Sequence, residues 1–350
     1  MLKSLRYRGN KLFRVLAKAL AEERQSAPGL PLAKRLKAWR LGFKGKSYVL
    51  LGLDENDPKD YLPDSLYHLT TGLDGKLGRV LKDKLLFNVI VQRYVDVPEI
   101  LAVIGKGRIF AISANFEVRN VSGLLDYCEG GHGVILKPCQ RNKGIGINAL
   151  DVCGAAIYLN GRQATKRDVD NLIRQLDDYL IMARVRQADY AYRIFPGATN
   201  TLRILTMQDP EDNHRPFIPV AKQRFGVHES APTDNWSRGG LSAKVDLDTG
   251  RLFPARRKPA ISDAVFESHP DTGAEIVGVE VPHWDLIKGR LLEMAESLRF
   301  LKFVGWDVVV TRDGFCVIEG NNPPDSVTQR DHPFLADPRI RRFLEYHQIV

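Results

Sequence analysis

The chain has 350 residues, of which 44% are hydrophobic and 27% are charged, which is typical of a globular protein with two or three subdomains. Its four cysteines show neither CxxC spacing nor a cluster with histidine, so the sequence excludes a disulfide scaffold and indicates no zinc site. No apolar run approaches the length of a membrane span, and the N-terminus lacks the uninterrupted apolar core of a signal peptide. We therefore expect a cytoplasmic protein.

The positive charge is concentrated in the N-terminal segment. Residues 1–46 contain thirteen Lys and Arg against two Glu, a net charge of +11, so the remainder carries −2 although the whole chain carries +9. This distribution argues against nucleic acid as a partner of the whole protein. Residues 11–24 have the apolar period of a helix, and a second basic stretch runs over residues 34–46. The segment is predicted to be helical, and two interpretations remain open. It docks on an anionic membrane, at the inner face, or on an acidic polymer, or it packs on the body with its basic face in water.

Residues 47–98 form a separate region after this segment. Residues 48–53 are an apolar run that predicts a strand, and residues 54–78 are rich in Asp, Pro and Gly, which predicts a loop. A helix is predicted over residues 80–91, and it places Lys84 among apolar neighbours.

Residues 99–185 contain a strand, a lysine, a glycine-bearing loop and a second strand in succession. The first strand, residues 134–137, ends at Lys137, and the loop of residues 140–146 leads to a strand at residues 147–152. Backbone N–H groups of such a loop and a lysine ammonium are both suited to phosphate oxygens. The loop is not a Walker motif, and a strand follows Gly144 and Gly146 where a dinucleotide-binding motif needs a helix. Asn160-Gly161 predicts a hairpin turn, Thr165 a helix cap, and residues 179–185 an apolar strand.

Residues 186–350 contain three positively charged side chains that are candidate active-site residues. Arg203 precedes a predicted strand at residues 204–207, and Lys222 and Arg224 share one face of the strand at residues 219–225 because a single residue separates them. They are suited to phosphate or an acidic acceptor, although a surface ladder of cations has the same pattern. A glycine loop at residues 235–240 and a helix at residues 284–300 follow.

A hairpin over residues 305–321 supplies the candidate metal ligands. Two β-branched runs flank Arg312-Asp313-Gly314, which predicts a three-residue loop with Gly314 in the left-handed region. This loop places Asp307 opposite Glu319, and Asn321 lies two residues further along the same face. Two facing carboxylates repel each other, whereas carboxylate and amide oxygens on one face suit Mg²⁺. The alternative is a solvated face with scattered acids.

The alternation of helices with antiparallel hairpins favours an α+β class, not a doubly wound parallel sheet. In this class, the ordered set of Lys84, Lys137-Pro138 with its glycine loop, residues 200–203 (NTLR), residues 235–240 (NWSRGG) and the GWD…EGN hairpin resembles the ATP-grasp superfamily. The resemblance extends over roughly residues 45–345 and is strongest to the sugar-transfer associated branch, which is related to the α-L-glutamate ligase type. It implies two α+β subdomains that sandwich ATP, at residues 99–185 and 186–350. A pre-ATP-grasp region, residues 47–98, and the basic helical segment, residues 1–46, precede them.

The resemblance also implies roles for individual residues. Lys84 and Lys137 contact the ATP phosphates, and the loop containing Lys143, Gly144 and Gly146 closes over them. The segment that contains Met182 and Ala183 lines the adenine. Relatives usually carry a Glu after this strand, and this chain does not, so the side chain that reads the base stays open. The implied Mg²⁺ ligands are Asp307, Glu319 and Asn321.

The implied activity is an ATP- and Mg²⁺-dependent ligation of a carboxylate to an amine. The γ-phosphoryl group converts the carboxylate to an acylphosphate, and attack by the amine gives an amide, ADP and phosphate. Arg203 is assigned to the substrate carboxylate or the developing oxyanion because planar bidentate pairing suits that task. The expected substrates are small-molecule or glycan carboxylates and amines, such as an amino acid and a sugar acid. Two other functions stay open: a kinase that phosphorylates a hydroxyl, and a non-catalytic basic binding protein.

Overall fold

The computed structural model describes residue 27 and residues 29–140, 146–258 and 264–350. The predicted helix at residues 11–24, and the loop residues Lys143 and Gly144, lie outside these ranges. Within them, no helix is both long enough and apolar enough to cross a bilayer. The helices are α1 (Leu32–Arg40), α2 (Gly45–Leu50), α3 (Asp64–Tyr67), α4 (Arg79–Lys82), α5 (Lys84–Val91), α6 (Val121–Glu129), α7 (Lys166–Gln175), α8 (Asp189–Ile194), α9 (Trp284–Ser297) and α10 (Pro338–Tyr346).

The first sheet is antiparallel throughout and has the order β2-β1-β7-β3-β4-β5-β6. One face packs on α6 and α7, whose side chains Leu124 and Val169 are fully buried. Its strands are β1 (Ile100–Gly105), β2 (Arg108–Ala111), β3 (Val134–Pro138), β4 (Asn148–Cys153), β5 (Ala156–Leu159), β6 (Arg162–Ala164) and β7 (Tyr179–Ala183).

The second sheet is also antiparallel and has the order β13-β12-β11-β10-β8-β14-β15, with β9 paired to β8. Its apolar face packs on α9 through Ile287 and Leu291, and on α4 and α5 through Leu81 and Phe87. Its strands are β8 (Leu202–Asp209), β9 (Arg215–Phe217), β10 (Ala221–Phe225), β11 (Leu241–Val245), β12 (Leu252–Arg256), β13 (Val265–Phe266), β14 (Phe303–Val310) and β15 (Phe315–Asn321).

The α+β class with antiparallel sheets is therefore confirmed, and several local predictions are confirmed with it. Thr165 forms a full capping box with Asp168 at the start of α7. Asn160 and Gly161 turn the β5–β6 hairpin with φ angles of +53° and +75°, as a tight primed turn requires. The helix predicted at residues 284–300 is present as α9, and Ile287, Leu291, Ala295 and Leu298 form its buried face.

Two predictions for the region before the first sheet are wrong, and a third is confirmed except at one residue. Residues 48–50 belong to α2 and residues 51–53 to the turn after it, because Tyr48 and Leu51 have the spacing of one helical turn and both pack into a small cluster with Ala38. Residues 54–78 form short helical turns where a loop was expected. The helix expected over residues 80–91 is interrupted at Asp83, whose carboxylate accepts hydrogen bonds from Leu85 N and Leu86 N and so begins α5.

The β14–β15 hairpin reaches the predicted pairing by a different route. Val310 pairs with Phe315, so residues 311–314 form a four-residue loop, and Gly314 is not in the left-handed region. A bulge at Ile318 then shifts the register by one residue and brings Asp307 opposite Glu319. The predicted pair is confirmed, but the bulge produces it, not the predicted loop.

Gly320 in β15 is where this hairpin meets α4 and α5. A Cβ at this position would lie 2.7 Å from Leu81 Cδ2 and 3.1 Å from the Trp306 ring. Because both neighbours are buried in the core, we expect Gly320→Ala to lower the free energy of unfolding by about 1–3 kcal/mol. Chemical denaturation measures this change. Gly314→Ala in the same hairpin is the control, since a Cβ there meets nothing within 4 Å. Equal stability of the two variants would show that the Gly320 contact is not tight.

Candidate active site

A row of charged residues crosses the second sheet. Cross-strand pairing places Lys244 on β11 opposite Lys222 on β10, then Arg203 on β8, Asp307 on β14 and Glu319 on β15. Directly opposed residues share one face of a sheet. The other face is packed into the core, so all five side chains project on the side that faces away from α9.

Asp307 is held between two arginines. Arg203 Nε donates to Asp307 Oδ1 at 2.5 Å and Arg203 Nη2 to Oδ2 at 3.2 Å, while Arg224 Nη2 lies 3.1 Å from Oδ2. Burial opposes ionisation of Asp307, but the charges of Arg203 and Arg224 outweigh it and hold the pKa of this carboxyl below its usual range. Asp307 faces Glu319 as expected, but its charge is already offset within the protein, because guanidinium groups from β8 and β10 contact both of its oxygens.

Asp234 and Thr201 complete this cluster, and the sequence analysis assigned no role to either side chain. Asp234 Oδ2 accepts from Thr201 N at 2.9 Å and from Thr201 Oγ1 at 2.5 Å, and it lies 3.3 Å from Arg224 Nε. Burial acts against the charge of Arg224, but Asp234 and Asp307 outweigh it and raise the pKa of Arg224. Thr201 and Asp234 are 33 residues apart, so no local pattern links them. Asn200, part of the same NTLR segment, is structural: its amide donates to Ala191 O and Phe195 O.

Lys137 connects the two sheets. Its ammonium on β3 lies 3.1 Å from Glu319 Oε2 on β15, and the side chains are 10% and 22% exposed. Lys84 is buried beside them at the start of α5, where its backbone N donates to Cys139 O at 3.3 Å. Burial and the nearby charge of Lys137 lower the pKa of Lys84. Two lysines and one glutamate from three separate elements therefore converge between the two sheets, near the end of β3 and on the edge strand β15.

A cavity of about 640 Å³ lies between the sheets beside this bridge. Ala183 and Met182 of β7 line it, as predicted for the segment beside an adenine, and its charged wall contains Lys137, Arg203, Arg224, Asp307 and Glu319. Lys84, Lys222 and Gly146 lie outside the lining. The apolar side chains of the cavity wall include Pro98, Ile135, Ile147, Met182, Val309 and Ile318.

Lys222 and Arg224 share a face, as predicted, but differ in their partners. Lys222 lies 2.9 Å from Asp331 and is buried, whereas Arg224 lines the cavity and binds Asp307. The intervening Gln223 points into the core, where its Oε1 accepts from Tyr190 at 2.7 Å. The exposed surface ladder is thus excluded for both cations.

The loop after β3 is described only from Gly146 onward. Gly146 has a φ of +81°, and a Cβ would lie 2.5 Å from Tyr179 Oη, so only glycine fits this position. Glycine here brings the backbone close to β7 at the rim of the cavity. The roles of Lys143 and Gly144 stay predictions.

The cavity offers oxygen ligands for a cation in an incomplete set. In the described part of the chain, no three His, Cys, Asp or Glu residues cluster as a metal site. Glu319 and Asn321 line the cavity, and Asn321 Nδ2 is buried without a hydrogen-bond partner. Turning this amide over would present Oδ1 at the same place, and an orphaned buried amide is a feature of ion and ligand sites. Glu319 and Asn321 therefore fit Mg²⁺, while Asp307 fits only if one arginine gives up its oxygen.

Most of the chain, including the cavity, matches one protein family. A family model described as sugar-transfer associated ATP-grasp matches residues 73–331. The chain belongs to this family. The matched range contains both sheets and all the lining residues of the cavity except Tyr67. The ATP-grasp fold expected from the sequence is confirmed.

Solved structures of other ATP-grasp proteins are similar to this one at low identity. The ATP-grasp ligase PsnB with a minimal precursor has 12% identity and a TM-score of 0.37, over 72% of this chain and 56% of its own. The N5-carboxyaminoimidazole ribonucleotide synthetase PurK has 8% identity and a TM-score of 0.43, over 75% of this chain and 54% of its own. The D-alanine-D-alanine ligase from Coxiella burnetii has 13% identity and a TM-score of 0.39, over 81% of this chain and 64% of its own. This chain spans less than two thirds of each relative's length. Comparison with curated protein sequences finds no match.

The contacts of Arg203 and Arg224 with Asp307 in this ATP-grasp protein predict that the charge of Asp307 stabilises the fold. We expect Asp307→Asn to lower the free energy of unfolding by about 3 kcal/mol at neutral pH, because two buried guanidinium groups lose their counter-charge. A carboxyl whose folded pKa is lowered stabilises the fold above its unfolded pKa of about 4 and loses that contribution as pH falls through the folded pKa. The difference between the two proteins should therefore shrink in acid.

Urea unfolding at a series of pH values measures this difference. Asp313→Asn in the exposed loop of the same hairpin is the control and should match the parent protein throughout. If Asp307→Asn unfolds like the parent at neutral pH, or if their difference persists unchanged in acid, the arginine cluster does not stabilise the fold through this charge.

Proposed function

We propose that this protein is an ATP- and Mg²⁺-dependent ligase that joins a carboxylate to an amine through an acylphosphate, giving an amide, ADP and phosphate. The observation that carries the proposal is the cavity between the two sheets of an ATP-grasp fold, lined by charged side chains, several of them on the second sheet, and by apolar side chains from both sheets. A flat base suits the apolar side chains, and phosphates suit the lysines between the sheets. In this arrangement the apolar side chains bind the base, and the charged side chains hold the reacting groups.

ATP is proposed to enter with its adenine against Met182 and Ala183 and its phosphates toward Lys137 and Lys84. Binding separates Lys137 from Glu319, because both would otherwise remain paired at 3.1 Å across the cavity. The exchange keeps both groups neutralised: the ammonium turns to phosphate, and Glu319 becomes available as an oxygen ligand. Lys84 is already destabilised as a cation by burial and by Lys137, so an anion beside it is favourable.

Glu319 and Asn321 are proposed to hold Mg²⁺, with Asp307 contributing if it exchanges an arginine for the metal. When bound, Mg²⁺ offsets phosphate charge and orients the γ-phosphoryl group. Such transfer depends more on positioning and charge neutralisation than on covalent help from the protein.

Arg203 and Arg224 are proposed to hold the substrate carboxylate near the γ-phosphate. Both guanidinium groups reach the cavity, and Asp307 and Asp234 fix their orientation before substrate arrives. Donors held in place beforehand cost little reorganisation when negative charge develops on the reacting oxygen. This assignment gives Asp307 a positioning role in addition to any contact with metal.

The face of the second sheet beyond the cavity supports an anionic, sugar-like substrate. Lys244 and Arg256 lie on neighbouring strands there, and the Phe253 ring is exposed with Lys244 Nζ 5.8 Å from its centre. An exposed ring flanked by cations suits a carboxylated sugar, whose apolar face can stack while its carboxylate pairs with the cations. We propose that the sugar acid lies along this face, with its reacting group at Arg203.

Lys137 provides a test of the nucleotide assignment. We expect Lys137→Met to weaken binding of a non-hydrolysable ATP analogue about tenfold or more, because a charge-assisted hydrogen bond contributes about 1.5–3 kcal/mol. Binding of a sugar acid should change little. Titration calorimetry with each ligand measures both constants, and Lys82→Met, an exposed lysine of α4, is the control. An unchanged dissociation constant for the analogue would place Lys137 outside the nucleotide site.

The products and the intermediate test the reaction itself. With the correct carboxylate and without amine, hydroxylamine should trap the acylphosphate as a hydroxamate, together with ADP and phosphate. Arg203→Lys should lower the trapping rate by roughly 10²-fold, because a single cation replaces a fixed bidentate donor. The assay combines a hydroxamate colour test with separate ADP and AMP measurements over a panel of amino acids and sugar acids.

The control for this substitution is Arg174→Lys. Arg174 of α7 also pairs with a carboxylate, Asp170, but it is exposed and lies outside the cavity lining. AMP as the product would indicate adenylation and contradict the acylphosphate. ADP with the phosphoryl group retained on a hydroxyl would make the protein a kinase. No nucleotide turnover with any acid of the panel would favour a non-catalytic binding protein.

A further inference from the structure

Helix α1 presents apolar side chains to solvent. Leu32, Leu36 and Trp39 recur at intervals of four and three residues, so they form one stripe, and they are 67%, 54% and 38% exposed. Only Arg35 and Ala38 of this helix are buried. A surface helix of a globular protein normally turns its apolar stripe inward, so the orientation of α1 is inverted.

Basic side chains surround this stripe. Residues 29–50 contain no Asp or Glu, and Lys37, Arg40, Lys44 and Lys46 are exposed. Lys34 pairs with Asp54 at 2.8 Å, whereas these four cations form no ion pair with other described residues. Leu41 and Val49, 37% and 43% exposed, extend the apolar surface toward α2. We call Leu32, Leu36, Trp39 and the four cations the basic apolar face.

This face is firmly attached to the part of the chain that lines the cavity. Ala38, Phe43 and Tyr48 pack together beneath it. Leu62, from the same region, is bound by Gln329, whose side chain donates to Leu62 O at 3.1 Å and accepts from Leu62 N at 2.7 Å. Gln329 belongs to the short helical turn Ser326–Arg330, and Ser326 lines the cavity. A surface bound at α1 would therefore lie at a fixed position relative to the candidate active site.

We propose that the basic apolar face docks this protein on an anionic lipid surface, with Leu32, Leu36 and Trp39 inserted among the headgroups. An exposed Leu and Trp stripe with Lys and Arg beside it is the pattern of a helix that lies in the plane of a membrane interface. The charge identifies the occupant: an uncharged apolar partner would leave four cations unmatched, and an acidic polymer would leave the stripe in water. An anionic bilayer satisfies both. This inference does not depend on the proposed ligase reaction.

Vesicle binding by the full chain tests the proposal. Sedimentation with phosphatidylcholine vesicles, with and without phosphatidylglycerol, should show binding only to the anionic ones and weaker binding as salt rises. The variant Leu32→Ser/Leu36→Ser/Trp39→Ser should bind roughly tenfold more weakly or worse. Loss of charge in Lys37→Gln/Arg40→Gln/Lys44→Gln should weaken binding to a similar degree.

Matched substitutions elsewhere serve as controls. Leu77→Ser/Leu286→Ser replaces side chains that are 57% and 49% exposed, and Arg108→Gln/Arg162→Gln/Arg167→Gln removes three exposed charges from the first sheet and α7. Both control proteins should bind vesicles as the parent does. Circular dichroism of every variant without lipid checks that the fold is kept.

Quenching by brominated lipid tests insertion in the unmutated chain, so the conclusion does not depend on a variant that folds poorly. Of the other three tryptophans, Trp284 and Trp306 are buried and Trp236 is half-buried, so the part of the quenching that reports insertion of α1 is the part that should be lost in Trp39→Phe. No binding to anionic vesicles, or equal binding to neutral ones, would overturn the proposal. Sedimentation equilibrium provides a further outcome against it: a dimer in the parent that dissociates in the triple Ser variant would assign the stripe to a second copy of the chain.

Discussion

The Lys137–Glu319 ion pair is the contact on which the candidate site depends. It joins β3 of the first sheet to β15 of the second across the cavity, with Lys137 Nζ 3.1 Å from Glu319 Oε2. Removing two charges from water is costly, and one pair seldom repays that cost by itself. A buried pair at the edge of a ligand-sized cavity is therefore better understood as a site held closed by its own residues. An anionic ligand for Lys137 and a cation for Glu319 would together replace the pair.

The arginine cluster, which begins one strand away from Glu319, is a second group of opposite charges that lie close together beside the cavity. Arg203, Arg224, Asp307 and Asp234 are nearly buried, and their charges cancel within the cluster. The two carboxylates hold the two guanidinium groups in fixed orientations, which makes them suitable donors for a carboxylate ligand. The ATP-grasp fold brings them together because β8 runs between β10 and β14, although Arg203 on β8 and Asp307 on β14 are 104 residues apart in sequence. In this way the strand order itself determines the chemistry of the cavity wall.

The basic segment and the candidate site are connected through the region that precedes the first sheet. Gln329 fixes Leu62 beside the turn that lines the cavity, and the helices that carry the basic apolar face pack on the same region. A protein docked on lipid by α1 would present its cavity at a defined height above the bilayer. The docking surface and the cavity nevertheless rest on separate residues and separate physical arguments.

The sequence by itself determined the α+β class, the ATP-grasp family and the elements whose signals are local. The Thr165 capping box, the Asn160-Gly161 turn and the apolar face of α9 depend on residues within one or two turns of one another, so their patterns are visible in the chain. It also identified Lys137, Arg203, Arg224, Asp307 and Glu319, all of which line one cavity. The tertiary structure decided what these residues do to each other. The arginines that neutralise Asp307, the buried Asp234, the bulge that corrects the β14–β15 register and the outward stripe of α1 all depend on contacts between distant segments, which no local pattern encodes.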